Sequence, residues 1–170
     1  RSGRVGASAS SEDLLGRPRP VVPSVPMFLE DWIELIKHGL SPTAFKEVAI
    51  AALRVLHHRP VELTDGTGDG GVDAWITFAS GRVPVQLHSG RAVDWAKKLS
   101  ADIEKPLVKE ATHNPTRRLI FVCAQTPERA AVEAETLRIQ RDRGLDVSVV
   151  DARTLASVSN DLRRFAPQIA

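Results

Sequence analysis

The sequence predicts an α/β fold built on a mixed sheet. Apolar residues recur at helical spacing in five segments, and five short runs rich in β-branched residues lie among them. Their order along the chain is α-α-β-β-β-α-β-α-β-α, with three successive strands before strands and helices alternate, and that order makes a mixed sheet flanked by helices. A chain of 170 residues suits one domain with one core.

Residues 1–26 carry many Gly, Ser, Pro and Arg and no sustained period, so they read as a disordered tail or linker ahead of a domain at 27–170. In "MFLEDWIELIKHG", Phe28, Trp32, Leu35 and Ile36 share a helical face and Gly39 is a stop. In "SPTAFKEVAIAALRVLHH", Ser41 caps, Pro42 suits the first helical position, and Phe45, Val48, Ala49, Ala52 and Val55 form the buried face. His57 and His58 end this helix, where positive charge complements the dipole. Three strands follow in "PVELTDG", "VDAWITF" and "RVPVQLH". A helix in "AVDWAKKLSADIEKPLVKEAT" runs until Pro106, and "RRLIFVCA" is a buried strand. "TPERAAVEAETLRIQRDRG" is a helix with a Thr126 cap, Pro127 at its first position and Gly144 at its end. "DVSVVD" is the last strand, and "ARTLASVSNDLRRFA" closes as a helix.

The glycines of "GTGDGG" at 66–71 fit the G-x-G-x-x-G pattern, yet they run into a strand. A dinucleotide loop must open a helix whose N-terminus receives the pyrophosphate, so nucleotide binding is not the reading. The interest lies in the hairpin that follows. With Ser80-Gly81 as a two-residue turn, Asp73 faces His88 and Trp75 faces Gln86. One face then carries Ala74, Ile76, Phe78, Val83, Val85 and Leu87 and packs on helices. The other carries Asp73, Trp75, Thr77, Pro84, Gln86 and His88, with opposed residues about 5 Å apart. A carboxylate, an amide oxygen and an imidazole at one end of a hairpin suit a hard cation such as Mg²⁺. A polar, solvent-facing sheet surface without a ligand is the equal alternative.

Several chemistries find no support. The single cysteine, Cys123, excludes a disulfide framework and a Cys-rich zinc site, and its apolar run makes it a buried thiol. There is no nucleophile elbow or Ser-His-Asp arrangement. No apolar run spans a bilayer and no charged-then-apolar leader is present, so the expectation is a cytoplasmic protein with no membrane partner. A net charge of +2 is compatible with an anionic partner, but the arginine groups at 117–118, 138–143 and 163–164 are equally well solvated helix faces.

The segment "AFKEVAIAALRVLHHRPVEL", with "GTGDGGVDAWI" and "VPVQLHS", resembles the Mrr-like branch of the PD-(D/E)xK restriction endonuclease superfamily. The downstream run "RRLIFVCAQTPERAAVEAETLRIQRDRGLDVSVVDARTLASV" is similar to that family's later strand, helix and strand, so the resemblance covers residues 43–158. It implies a restriction-endonuclease-like mixed central sheet and a DNA-interacting domain, one module of a larger prokaryotic defence or DNA-repair protein with further domains. If active, it would hydrolyse phosphodiester bonds with Mg²⁺ or Mn²⁺. By position, Asp73 matches the metal-binding Asp, Gln86 the second acid, and the Leu87 carbonyl a further ligand. Glu47 lies one place beyond the helical Glu of some members, with Lys46 at the expected place, and Asp69 belongs to the loop. His88 stands where the family places Lys. Three readings of that departure stay open. The histidine acts in the lysine's place, the lysine has moved to Lys97 or Lys98, or cleavage is lost and a pseudo-nuclease for DNA binding or homodimerisation is left. Arg91 also follows the hairpin, while Asp94, Asp102 and Glu104 dilute any purely basic patch.

Overall fold

The computed structural model describes residues 28–64, 71–105, 108–110 and 117–158. The tail at 1–26, Asp69 and the arginines at 163–164 lie outside them. The chain builds the mixed α/β sheet that the sequence predicts. Helix α1 (Leu29–Glu34) runs into a π-helical turn (Leu35–Gly39), and α2 (Pro42–His57) follows. Strands β1 (Val61–Leu63), β2 (Ala74–Phe78) and β3 (Gly81–His88) come next, then α3 (Trp95–Ile103) and β4 (Arg118–Cys123). Helix α4 (Arg129–Arg143), strand β5 (Asp146–Val150) and helix α5 (Ala152–Ser157) complete the described order.

The five strands lie in the order β1-β2-β3-β4-β5. β1, β2 and β3 pair antiparallel, and β3, β4 and β5 pair parallel. The parallel pairs need crossovers, which α3 and α4 supply. Each sheet face has its own core. On one, Trp32, Phe45, Val48, Leu53 and Leu155 of α1, α2 and α5 meet Ile76, Val83, Val85, Ile120 and Val122. On the other, Trp95, Leu99 and Ile103 of α3 and Ile139 of α4 meet Leu119, Phe121, Cys123 and Val147. A parallel strand buried on both faces cannot alternate, and β4 does not: Leu119 to Cys123 are all buried. The sheet is thus the middle of three layers.

Local chemistry explains most boundaries. Ser41 Oγ accepts the Ala44 N–H at 3.2 Å and Pro42 opens α2, as expected. Gly144 ends α4 in the left-handed region at φ 64. The start of α4 differs from expectation: it begins at Arg129, with Glu128 as the capping position and no side-chain cap. Arg153 donates to the Pro127 carbonyl at 3.0 Å and the Ala152 N–H to the Gln125 carbonyl at 3.0 Å. These bonds to α5 hold 125–127 out of the helix. His57 also departs from its reading. Its ring meets Phe78 edge-on at 5.5 Å. Burial, aided by the Arg118 charge, holds its pKa below the ordinary value, so it favours the neutral form and adds little to the helix dipole.

No described helix is long and apolar enough to cross a membrane. The arginines of α4 are ion-paired: Arg138 with Glu135 at 2.6 Å, Arg141 with Asp142 at 3.0 Å, and Arg143 with Glu104 at the end of α3. Cys123 is fully buried, and burial pushes its thiol up to about 12, which makes it inert.

Candidate functional site

The β2–β3 hairpin keeps the predicted faces but shifts the predicted register by two residues. Phe78 faces Gly81, Ile76 faces Val83 and Ala74 faces Val85, so the turn is Ala79-Ser80. The expected pairs of Asp73 with His88 and Trp75 with Gln86 are therefore not formed; Trp75 faces Pro84. Gly81 opens β3 at φ 124, a conformation that suits glycine at the strand end rather than inside the turn. Because the shift is even, no side chain changes face. Its consequence is chemical: continued one step, the ladder sets Asp73 beside Gln86. The Asp73 N–H donates to the Val85 carbonyl at 3.1 Å, and Asp73 Oδ2 accepts the Leu87 N–H at 2.8 Å.

At its Gln86–His88 end this polar face is closed to solvent, while Asp73 is half-buried and Thr77, near the turn, is exposed. Gln86 is 0 % exposed and His88 5 %. Helix α3 covers them, because Trp95, Leu99, Asp102 and Ile103 form its buried stripe. An acid thus occupies a core position. Asp102 Oδ1 accepts from Lys98, one turn earlier, and from Lys105 at 2.7 Å, one turn later. Asp102, Lys105 and Lys46 all act electrostatically on Asp73. The site is therefore Asp73, Gln86, Asp102, Lys98 and Lys105, with Lys46 near.

Opposing influences act on the charges of this cluster. Burial pushes the Asp73 carboxyl above its ordinary pKa. The Leu87 N–H, Lys105 and Lys46 pull it down, and Asp102 pushes it further up. Burial also works against the Lys105 ammonium, but its hydrogen bond to Asp102 and its attraction to both carboxylates hold it above its ordinary value. Gln86 donates Nε2 to the Gly71 carbonyl. Gln86 Oε1 and Asp102 Oδ2 are buried without a hydrogen-bond partner among the described residues.

His88 has different company. Its Nε2 lies 3.1 Å from the Val93 carbonyl, which can only accept, so Nε2 carries the proton. The ring also sits 6.2 Å from Phe121, and a Cβ on Gly90 would fall 2.6 Å from its Cε1. Gln125 fastens the same loop, donating to Val93 at 2.7 Å and Gly90 at 3.2 Å while accepting the Trp95 N–H at 3.0 Å. Lys97 and Glu47 are exposed on α3 and α2 and stand outside the cluster, whereas Lys46 is half-buried. Trp75 packs on the second core with the Arg82 guanidinium 4.6 Å above its ring.

A hard divalent ion fits the donors present. Asp73 supplies a carboxylate, and Gln86 Oε1 is an orphaned oxygen beside it. Among the described residues, no three His, Cys, Asp or Glu side chains are grouped to hold a metal, so an ion here would need the amide and a backbone carbonyl to complete its ligand set. Sequence reading missed Asp102 and Lys105. The usable signal was an aspartate at a stripe position of α3, with lysines four residues before and three after.

No family model matches the chain, and no curated protein matches it. A solved structure, the MspJI restriction endonuclease in complex with a 27-mer oligonucleotide, is similar over 84% of this chain and 32% of that one. The TM-score is 0.47 and the identity 15%, and this chain spans about a third of that protein's length.

Proposed function

We propose that this chain is a DNA-interacting domain of the PD-(D/E)xK type, Mrr-like, that hydrolyses phosphodiester bonds with Mg²⁺ or Mn²⁺. The observation that carries the reading is the hairpin register, which sets Asp73 beside Gln86, whose amide oxygen is buried without a partner among the described residues. Asp73, Gln86 and the Leu87 carbonyl would hold the ion. When bound, it would polarise the phosphate and lower the pKa of a water. Lys98, not His88, stands for the motif lysine, because its ammonium sits at the cluster while His88 is committed to Val93. Asp102 positions that ammonium. Lys97, exposed on the same helix, suits a phosphate contact. Glu47 faces solvent and takes no role.

The test is cleavage of plasmid and modified DNA with Mg²⁺ or Mn²⁺. Activity lost in Asp73→Ala and Lys98→Ala but kept in Lys97→Ala is the expected outcome. Activity that survives Lys98→Ala overturns the lysine assignment. A second reading, a pseudo-nuclease that only binds DNA, is favoured by one observation: Lys98 is already neutralised by Asp102. It predicts a gel shift with steep salt dependence and no cleavage in any variant.

A further inference from the structure

Lys105 lies across the site in a way that the cation reading does not by itself require. It follows the end of α3, and its stem runs over Gly71: a Cβ there would fall 2.5 Å from Lys105 Cδ. Gly71 sits at φ 117, a conformation few residues other than glycine adopt, and its carbonyl receives Gln86 Nε2. The Lys105 ammonium is 2.7 Å from Asp102 Oδ1 and attracts Asp73 as well. One lysine thus pairs with the buried Asp102, acts on the half-buried Asp73, and lays its stem over the residue that anchors the amide ligand. With Lys98, the cluster holds two carboxylates and two ammonium groups.

We propose that Lys105 is a built-in counter-cation, which a divalent ion must displace before Asp73 and Gln86 can bind it. The proposal rests on the cation-site reading above. Like charges at one partly buried site repel, so an ion held by Asp73 and Gln86 and the Lys105 ammonium oppose each other. The exit is open, since the Lys105 side chain is 39% exposed and Lys stems reach easily to water. Asp102 keeps Lys98 as its partner when Lys105 leaves.

The experiment titrates Mn²⁺ and Mg²⁺ by calorimetry into full-length protein without DNA, for wild type, Lys105→Met, Lys105→Arg and Asp73→Asn/Lys105→Met. Urea unfolding in EDTA checks that each variant is folded. Lys105→Met keeps the stem over Gly71 and removes the charge, and its apparent Kd should fall at least tenfold below wild type. Lys105→Arg keeps the charge and should stay within threefold of wild type. The double variant should lose binding. Equal affinity in wild type and Lys105→Met, with loss in the double variant, overturns the counter-cation and leaves the cation site standing. Weaker binding in Lys105→Met also overturns it. No binding in any variant overturns both.

Discussion

Gln86→Leu separates a structural glutamine from a ligand. Gln86 is fully buried, donates one hydrogen bond to the Gly71 carbonyl, and leaves Oε1 without a partner among the described residues. Leucine is close in size, so no cavity opens. The lost bond costs about 1 kcal/mol, and the half-buried Gly71 can recover part of that from water. Removing a buried, unsatisfied acceptor returns about 1–3 kcal/mol. The expected balance in EDTA lies between no change and a gain of about 2 kcal/mol, a rise of roughly 0–8 °C in Tm for a chain of this size. Thermal unfolding followed by circular dichroism reads it. Adding Mn²⁺ at a hundred times its Kd should stabilise wild type by about 2.7 kcal/mol and Gln86→Leu not at all. A loss of more than about 1.5 kcal/mol in EDTA, beyond what one hydrogen bond contributes, would show that Oε1 is satisfied in the folded chain. Oε1 would then not be an oxygen held ready for a cation.

Asp102→Asn should be costly, because it leaves two ammonium groups beside a neutral amide. Breaking a buried pair costs about 3–5 kcal/mol, and the partly exposed lysines bring the expected loss to the low end of that range in urea unfolding. Asp73 should set a pH dependence. Its folded pKa lies above the ordinary 3.8, so between the two values the folded chain holds the extra proton and stability falls as pH rises through that window. Asp73→Asn removes this component in EDTA: its advantage over wild type should be near zero below the ordinary value and grow to a plateau above the folded one. An advantage independent of pH would refute it. His88→Lys should neither activate nor stabilise the protein, since it removes the bond to Val93 and puts an ammonium against Phe121; unfolding and cleavage assays both read it. Gly71→Ala should lose about 1–3 kcal/mol from its positive φ alone, with the Lys105 contact added, in the same unfolding assay.

The parts of the fold that were legible in the sequence are those set by local chemistry. Ser41 and Pro42 start a helix wherever they meet an apolar stripe, and Gly144 stops one. Period-two alternation from Ala74 to Leu87 assigned every hairpin residue to its face, because a face depends only on parity. The register did not follow, since it is set by which two residues turn the chain. Ser80-Gly81 looked right by composition, yet the positive φ is needed at Gly81 as the first residue of β3. The start of α4 was hidden for a different reason: the donors that hold 125–127 out of the helix come from residues 26 and 27 positions downstream.

The site was legible where it is made of neighbours in one hairpin and illegible where a helix crosses it. Asp73 and Gln86 lie thirteen residues apart in sequence and are brought together by two strands and one turn. Their surroundings depend on how α3 lies on the sheet. Counted as surface charge, Asp102 dilutes a basic patch; placed on the stripe of Trp95, Leu99 and Ile103, it becomes a buried anion that needs two lysines. The same periodicity separates the two lysine candidates. Lys98 stands four residues before Asp102 and so shares its face, while Lys97 points a further 100° round the helix to solvent. A charged residue on an apolar stripe is costly to bury, so the helical period alone implies that Asp102 has a partner of opposite charge. His88 shows the converse. Its position in the strand matches that of a catalytic lysine, but the side chain is spent on Val93 and Phe121, and strand position alone carries no information about what a ring has already bound.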